Sequence, residues 1–142
     1  TVDSSAAKLA DGQRLVSRWA PGVPHYSLAA RADLSLPLVE DQRFDRVLID
    51  APCSGLGTIR RRPETLWRRV ESDITELAAL QAAILAEAWK WLKPGGTLVY
   101  AVCTDTPEET REIVAQYTVL DSFASAPERD GCDGFYAARL AL

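Results

Sequence analysis

Two apolar runs in this chain end in a cysteine. In FDRVLIDAPCSG, residues 44–55, Val47-Leu48-Ile49 gives way to Asp50, Pro52 and Cys53. In TLVYAVC, residues 97–103, the run stops at Cys103, with Thr104 and Asp105 next. A buried cysteine usually packs as a small hydrophobe. A thiol just past a strand end is placed differently, because side chains there meet solvent or ligand. Cys103 also precedes TPEETREIVAQY, a predicted helix whose N-terminal dipole favours a thiolate. Both cysteines are therefore candidate nucleophiles. Asp50, held before a proline, can accept hydrogen bonds from an amine or ring N–H. Cys132, in RDGCDGF, reads as apolar filler or surface and takes no role.

A basic segment follows Cys53 directly. GTIRRRPETLWRR, residues 57–69, sets Arg60, Arg61, Arg62, Arg68 and Arg69 around Trp67. An arginine run is most often a solvated face. Next to the Asp-Pro-Cys loop it becomes a candidate site for a polyanion, and it could help ionise a nearby thiol. Asp3 and Asp33 complete the candidates. Asp3 could be only a helix cap with Ser4 and Ser5, and Asp33 only a turn residue.

The elements that must position these groups alternate strand and helix, as in an α/β sheet. Val2-Asp3 is a strand end. Residues 4–19 read as a helix with Ala7, Leu9, Leu15, Val16 and Trp19 available to the core. HYSLAARAD (25–33) is a short strand and a turn, and RFDRVLID (43–50) the strongest strand. SDITELAALQAAILAEAWKWLKPGG predicts a long helix. Asp73 and Glu76 cap it, Ile74, Leu77, Leu80, Ile84, Leu85 and Ala88 form its apolar stripe, and Lys93-Pro94-Gly95-Gly96 stops it. In the next helix Thr106 caps, Pro107 takes the first turn and Glu109 completes the box. VLDSF and GFYAARLAL close as an antiparallel pair. Asp3, Asp33, Asp50 with Cys53, and Cys103 all follow strand ends, and in open α/β sheets ligands bind beyond those ends.

The totals exclude several classes. A hydrophobic fraction of 47% with 25% charged residues is that of an ordinary globular domain. No apolar stretch approaches a membrane span, and no signal segment is visible. Three cysteines without CxxC spacing make neither a disulfide framework nor a zinc site. Cytoplasm is the default location. The net charge of −4 argues against unselective nucleic-acid binding. With no Met and an opening TVDSSAAKL that reads as a strand running into a helix, the 142 residues are expected to be part of something longer.

VLIDAPCSGLGTIRRRPETLW, LKPGGTLVYAVCT…PEE and DGFYAARL together resemble the Sun/Fmu family of RNA cytosine-C5 methyltransferases, nearest to its bacterial RsmB-like branch. The resemblance covers essentially the whole chain, as the later part of one catalytic domain. It implies a Rossmann-like class I sheet using S-adenosylmethionine, here lacking the first strand and its Gly-rich Ala-Pro-Gly-Gly-Lys-Thr-like loop. It implies Cys103 as nucleophile, Cys53 as the cysteine that helps release product, and Asp50 as the acid on the cytosine edge beside the cofactor. Asp3 falls at the cofactor ribose, Asp33 at its adenine, and Arg60, Arg61 and Arg62 at RNA phosphates. Small-subunit rRNA is the implied substrate, with no membrane partner and a monomeric full-length protein. A tRNA-directed enzyme and a non-catalytic RNA-binding remnant are the alternatives. Relatives commonly read Thr-Cys-Ser where this chain has Val102-Cys103-Thr104, so one hydroxyl is lost and one kept.

Overall fold

A computed structural model describes residues 1–31, 33 and 43–141. Strand β1 (Val2–Asp3) leads into helix α1 (Ala6–Trp19), and β2 (Leu28–Ala29) returns parallel to β1, with Asp3 opposite Ala29. Strand β3 (Phe44–Asp50) is followed by α2 (Thr65–Arg68), α3 (Glu71–Lys90) and β4 (Leu92–Val102), which lies parallel to β3. After α4 (Arg111–Val114) come β5 (Thr118–Ser125), one turn of α5 (Pro127–Asp130) and β6 (Phe135–Ala141). The order β3-β4-β6-β5 puts β6 antiparallel between β4 and β5. The closing antiparallel pair is thus present.

The core forms where α3 packs on this sheet. Leu85 of α3, Leu98, Tyr100 and Val102 of β4, and Leu140 of β6 are all fully buried. Paired with β3 on one edge and β6 on the other, β4 buries Leu98, Tyr100, Ala101 and Val102 and supplies the platform beneath Cys103. Each fully buried Leu contributes about 1.5–3 kcal/mol relative to exposure.

Three local expectations need correction. The long helix starts at Glu71, so Asp73 is its third residue and accepts the Val70 N–H at 3.1 Å; a box of Asp73 with Glu76 is not formed. The reason is Val70, whose extended backbone already ends the preceding loop and leaves the acid to satisfy the free N–H. Lys93-Pro94-Gly95-Gly96 lies past the helix end, inside β4, as an irregularity. Pairing jumps from Phe44–Leu92 to Arg46–Thr97, and Gly95 takes φ +75°. The segment after Cys103 is a single 3-10 turn, Pro107–Glu109, and then α4. Thr110 breaks the continuity with φ −121° and ψ −97°, while its hydroxyl donates to the Thr106 carbonyl at 2.6 Å.

The β1-β2 pair and the four-stranded sheet are separate among the described residues. Of the predicted α1 stripe only Leu9 is buried, Val16 is half-buried, and Ala7, Leu15 and Trp19 are exposed. Two strands of two residues cannot cover a helix of 14. Among the described residues strand β3 also keeps an open outer edge, with Leu48 71% exposed.

Candidate active site

Beyond the C-terminal ends of β3 and β4 the two cysteines meet. Their Sγ atoms are 3.4 Å apart, both are half-buried, and both are free thiols. The contact acts in opposite directions on the two groups. The Cys53 S–H, donated to Cys103, lowers the Cys103 pKa to about 6. Partial burial and the Asp50 charge oppose this, while Arg62 adds to it. Cys53 is pushed well above the thiol range, first by that hydrogen bond and then by burial. The acidifying partner is thus a second thiol. The expected helix dipole is minor, since the 3-10 turn after Cys103 is three residues long.

Asp50 is exposed at the end of β3, opposite Ala101. Among the described residues its carboxyl makes no hydrogen bond or ion pair, so its oxygens are open to a ligand N–H. Val102 buries its side chain in the core, and the hydroxyl of Thr104 is fully buried against Ser54 at 3.1 Å. Neither flank of Cys103 therefore aims a hydroxyl at the thiol.

The Cys53 loop is pinned along its length. Gln81 donates to the Pro52 carbonyl at 2.9 Å, and Glu109 accepts the Ser54 N–H at 2.8 Å. Arg69 donates to the carbonyls of Ser54 at 3.1 Å and Cys53 at 3.4 Å. Gly57 donates to the Cys103 carbonyl at 3.2 Å and accepts from Gly134 at 2.7 Å. Gly57 and Gly134 touch backbone to backbone, so a Cβ on Gly57 would collide with the Gly134 carbonyl. Gln81, Glu109, Arg69 and the glycine pair are the site residues the sequence reading missed. A glutamine in the apolar stripe of α3 was the available signal for the first.

The arginines divide. Arg60 and Arg61 both pair with Asp133, Arg60 at 3.5 Å, though both stay exposed enough to reach other anions. Arg62 faces Cys103 electrostatically. Trp67, beside them on α2, is 90% exposed.

Asp3 is the last residue of β1, and Asp33 lies past the end of β2. Asp3 accepts the Ser5 N–H at 2.7 Å, and its other oxygen is 3.8 Å from Lys8. The cap of α1 is Ser5, not Asp3. Asp33 is held by Arg31 at 3.0 and 2.5 Å, and the guanidinium keeps its carboxyl below the usual range. Asp3 and Asp50, each with an oxygen to spare at a strand end, fit the hydroxyls and N–H groups of a nucleoside. Asp33 fits one only if shared with Arg31. Among the described residues no group of three or more His, Cys, Asp or Glu could hold a metal ion, and no helix is long and apolar enough to cross a membrane.

A parallel strand pair, an antiparallel β6-β5 closure and acids and thiols at the strand ends define an α/β methyltransferase fold. The family model for the 16S rRNA methyltransferase RsmB/F matches residues 22–121. The chain belongs to that family. It is 43% identical over 118 residues to ribosomal RNA small subunit methyltransferase B of Shewanella oneidensis, covering 71% of this chain and 28% of the relative. It is 56% identical over 114 residues to the protein of that name from Salmonella paratyphi B, covering 70% and 27%. The chain therefore spans little more than a quarter of the length of these relatives. Its fold matches the crystal structure of NSun6 from Pyrococcus horikoshii with SFG at a TM-score of 0.81 and 26% identity, covering 99% of this chain and 40% of that one.

Proposed function

We propose that this chain is the later part of the catalytic domain of an RNA (cytosine-C5)-methyltransferase acting on small-subunit rRNA. The observation that carries this reading is the 3.4 Å contact between Cys53 and Cys103, with the open carboxyl of Asp50 at the same strand ends. Carbon 5 of cytosine is a poor nucleophile. The Cys103 thiolate, half ionised at about pH 6, adds to carbon 6 and moves electron density to carbon 5. Asp50 accepts hydrogen bonds from the cytosine edge and steadies the charge that develops there. S-adenosylmethionine supplies a methyl group on a sulfonium sulfur. Once carbon 5 is methylated its proton leaves to water, the bond from carbon 6 to Cys103 breaks, and the double bond returns. Cys53, protonated beside the departing sulfur, offers its S–H to the returning thiolate and lowers the cost of release.

Asp3 would hold the ribose of the methyl donor and Asp33 its adenine. Arg60, Arg61 and Arg62 would take flanking phosphates, fixing the RNA without reading its sequence. The target base must be unpaired or flipped. On this reading the first strand and its Gly-rich loop lie upstream in a longer, monomeric, cytoplasmic protein. That strand would pair with the open outer edges of β1 and β3, and the 142 residues alone would turn over weakly or not at all. The test is transfer of labelled methyl from S-adenosylmethionine to small-subunit rRNA by the full-length protein, followed by nucleoside analysis. Label in 5-methylcytidine supports the proposal. Label in another nucleoside, or none with RNA bound, overturns it.

A further inference from the structure

Beneath the two thiols lies a buried polar cluster that the reaction does not use directly. Its centre is Glu109, fully buried, with no cation beside it among the described residues. Its carboxyl oxygens accept the Ser54 N–H at 2.8 Å and Gln81 Nε2 at 2.9 Å on one side. On the other they accept the hydroxyls of Ser54 at 2.5 Å and Thr106 at 3.0 Å. With its hydrogen committed to Glu109, Ser54 must accept from Thr104, 3.1 Å away. Ser54 directly follows Cys53, and Thr104 directly follows Cys103. The residues after the two thiols are therefore joined, in a fixed donor direction, by a chain that ends on Glu109. An acid buried without a cation is costly, and apolar packing would fill the space at less cost.

We propose that Glu109 is a positioning residue that sets the distance and hydrogen-bond direction between Cys53 and Cys103. It touches neither thiol. It acts by holding the Ser54 backbone and hydroxyl, and so keeps the Cys53 S–H on the Cys103 sulfur. This deepens the covalent methyl-transfer reading and rests on it for its purpose, though the geometry stands apart from it. In Glu109→Gln the amide nitrogen cannot face the two N–H donors. It must take the hydroxyl side, where Ser54 turns to accept and Thr104 loses its acceptor. The shape survives while the direction of the chain reverses.

The test is the pH profile of Cys103 alkylation by iodoacetamide, read peptide by peptide so that Cys53 and Cys132 are scored apart. The groups facing Cys103 are Cys53 and Asp50 from β3 and its loop, and Arg62 from the segment before α2; none of these side chains is removed in any variant except Cys53→Ala. Glu109→Gln is expected to raise the Cys103 midpoint by about one unit towards the ordinary thiol range. Ser54→Ala shifts it the same way by less, and carries the test should Glu109→Gln fail to fold. Ser125→Ala, which removes a bond to the Asp133 carbonyl outside the Ser54–Thr104–Glu109 chain, lowers thermal stability with the midpoint unmoved. In a Cys53→Ala background, where the midpoint is already raised, adding Glu109→Gln moves it no further. A Glu109→Gln protein that melts lower with an unmoved midpoint, an unmoved midpoint in Ser54→Ala, or an equal shift without Cys53 would each overturn the proposal. Alkylation needs neither RNA nor methyl donor, so its outcome and that of the methyl-transfer test are separable.

Discussion

Cys53 and Cys103 stand 50 positions apart in sequence and 3.4 Å apart at sulfur. Parallel pairing of β3 with β4, in register from Arg46–Thr97 to Asp50–Ala101, brings the two loops together. The pair splits into one thiol that ionises easily and one that stays protonated, which suits an attacking group and a group that eases its departure.

In the proposed reaction Asp50 holds the base, yet its charge disfavours the Cys103 thiolate. Asp50→Asn should therefore abolish methyl transfer while making Cys103 alkylate more readily below pH 6, with the midpoint under about 6. The sign follows from removing a negative charge beside a group that becomes negative. An alkylation midpoint that rises in this variant would show that Asp50 is not placed as described.

Gly57→Ala puts a methyl group into the Gly134 backbone. Neither loop can yield without losing the Gly57 bonds to Cys103 and Gly134. The expected loss is about 2 kcal/mol, or about 5 °C in a thermal melt. Gly131, where a Cβ would meet open space, is the comparison that separates collision from backbone strain. A Gly57→Ala protein at least as stable as Gly131→Ala contradicts the packing.

Leu85 is the fully buried apolar anchor of α3 on the sheet. Leu85→Ala should cost about 2–5 kcal/mol by urea unfolding. A loss under about 1 kcal/mol would mean that the site's platform does not depend on this helix.

Among the described residues Arg62 has no acid partner, whereas Arg60 and Arg61 share Asp133. In salt titrations of RNA binding, Arg62→Ala should reduce the slope by about one, and Arg60→Ala by less. Equal slopes for the two variants would remove the distinction.

Much of this was legible in the residues because strand ends advertise themselves. The apolar runs before Asp50 and Cys103 became β3 and β4, and the turn-rich stretch between VLDSF and GFYAARLAL left no room for anything but an antiparallel return. What failed to show was long-range. Glu109 reads as a capping residue, and only the fold reveals that its acceptor role faces Ser54 and Gln81, 55 and 28 positions away. Arg69 reads as one of the arginines set for a polyanion, yet it braces the carbonyls of Cys53 and Ser54. The exposed face of α1 could not be foreseen either, since an apolar stripe states what a helix can bury and not what covers it. Asp33 is held by Arg31, and nothing in its turn-like context announced that pair.

In the proposed reaction Cys103 bonds to the base and Cys53 frees it. Full-length protein carrying Cys53→Ala, incubated with small-subunit rRNA and S-adenosylmethionine, should accumulate a covalent protein–RNA band on a denaturing gel. Adding Cys103→Ala should remove that band. A band that persists without Cys103, or none with RNA bound and Cys103 intact, would contradict the account.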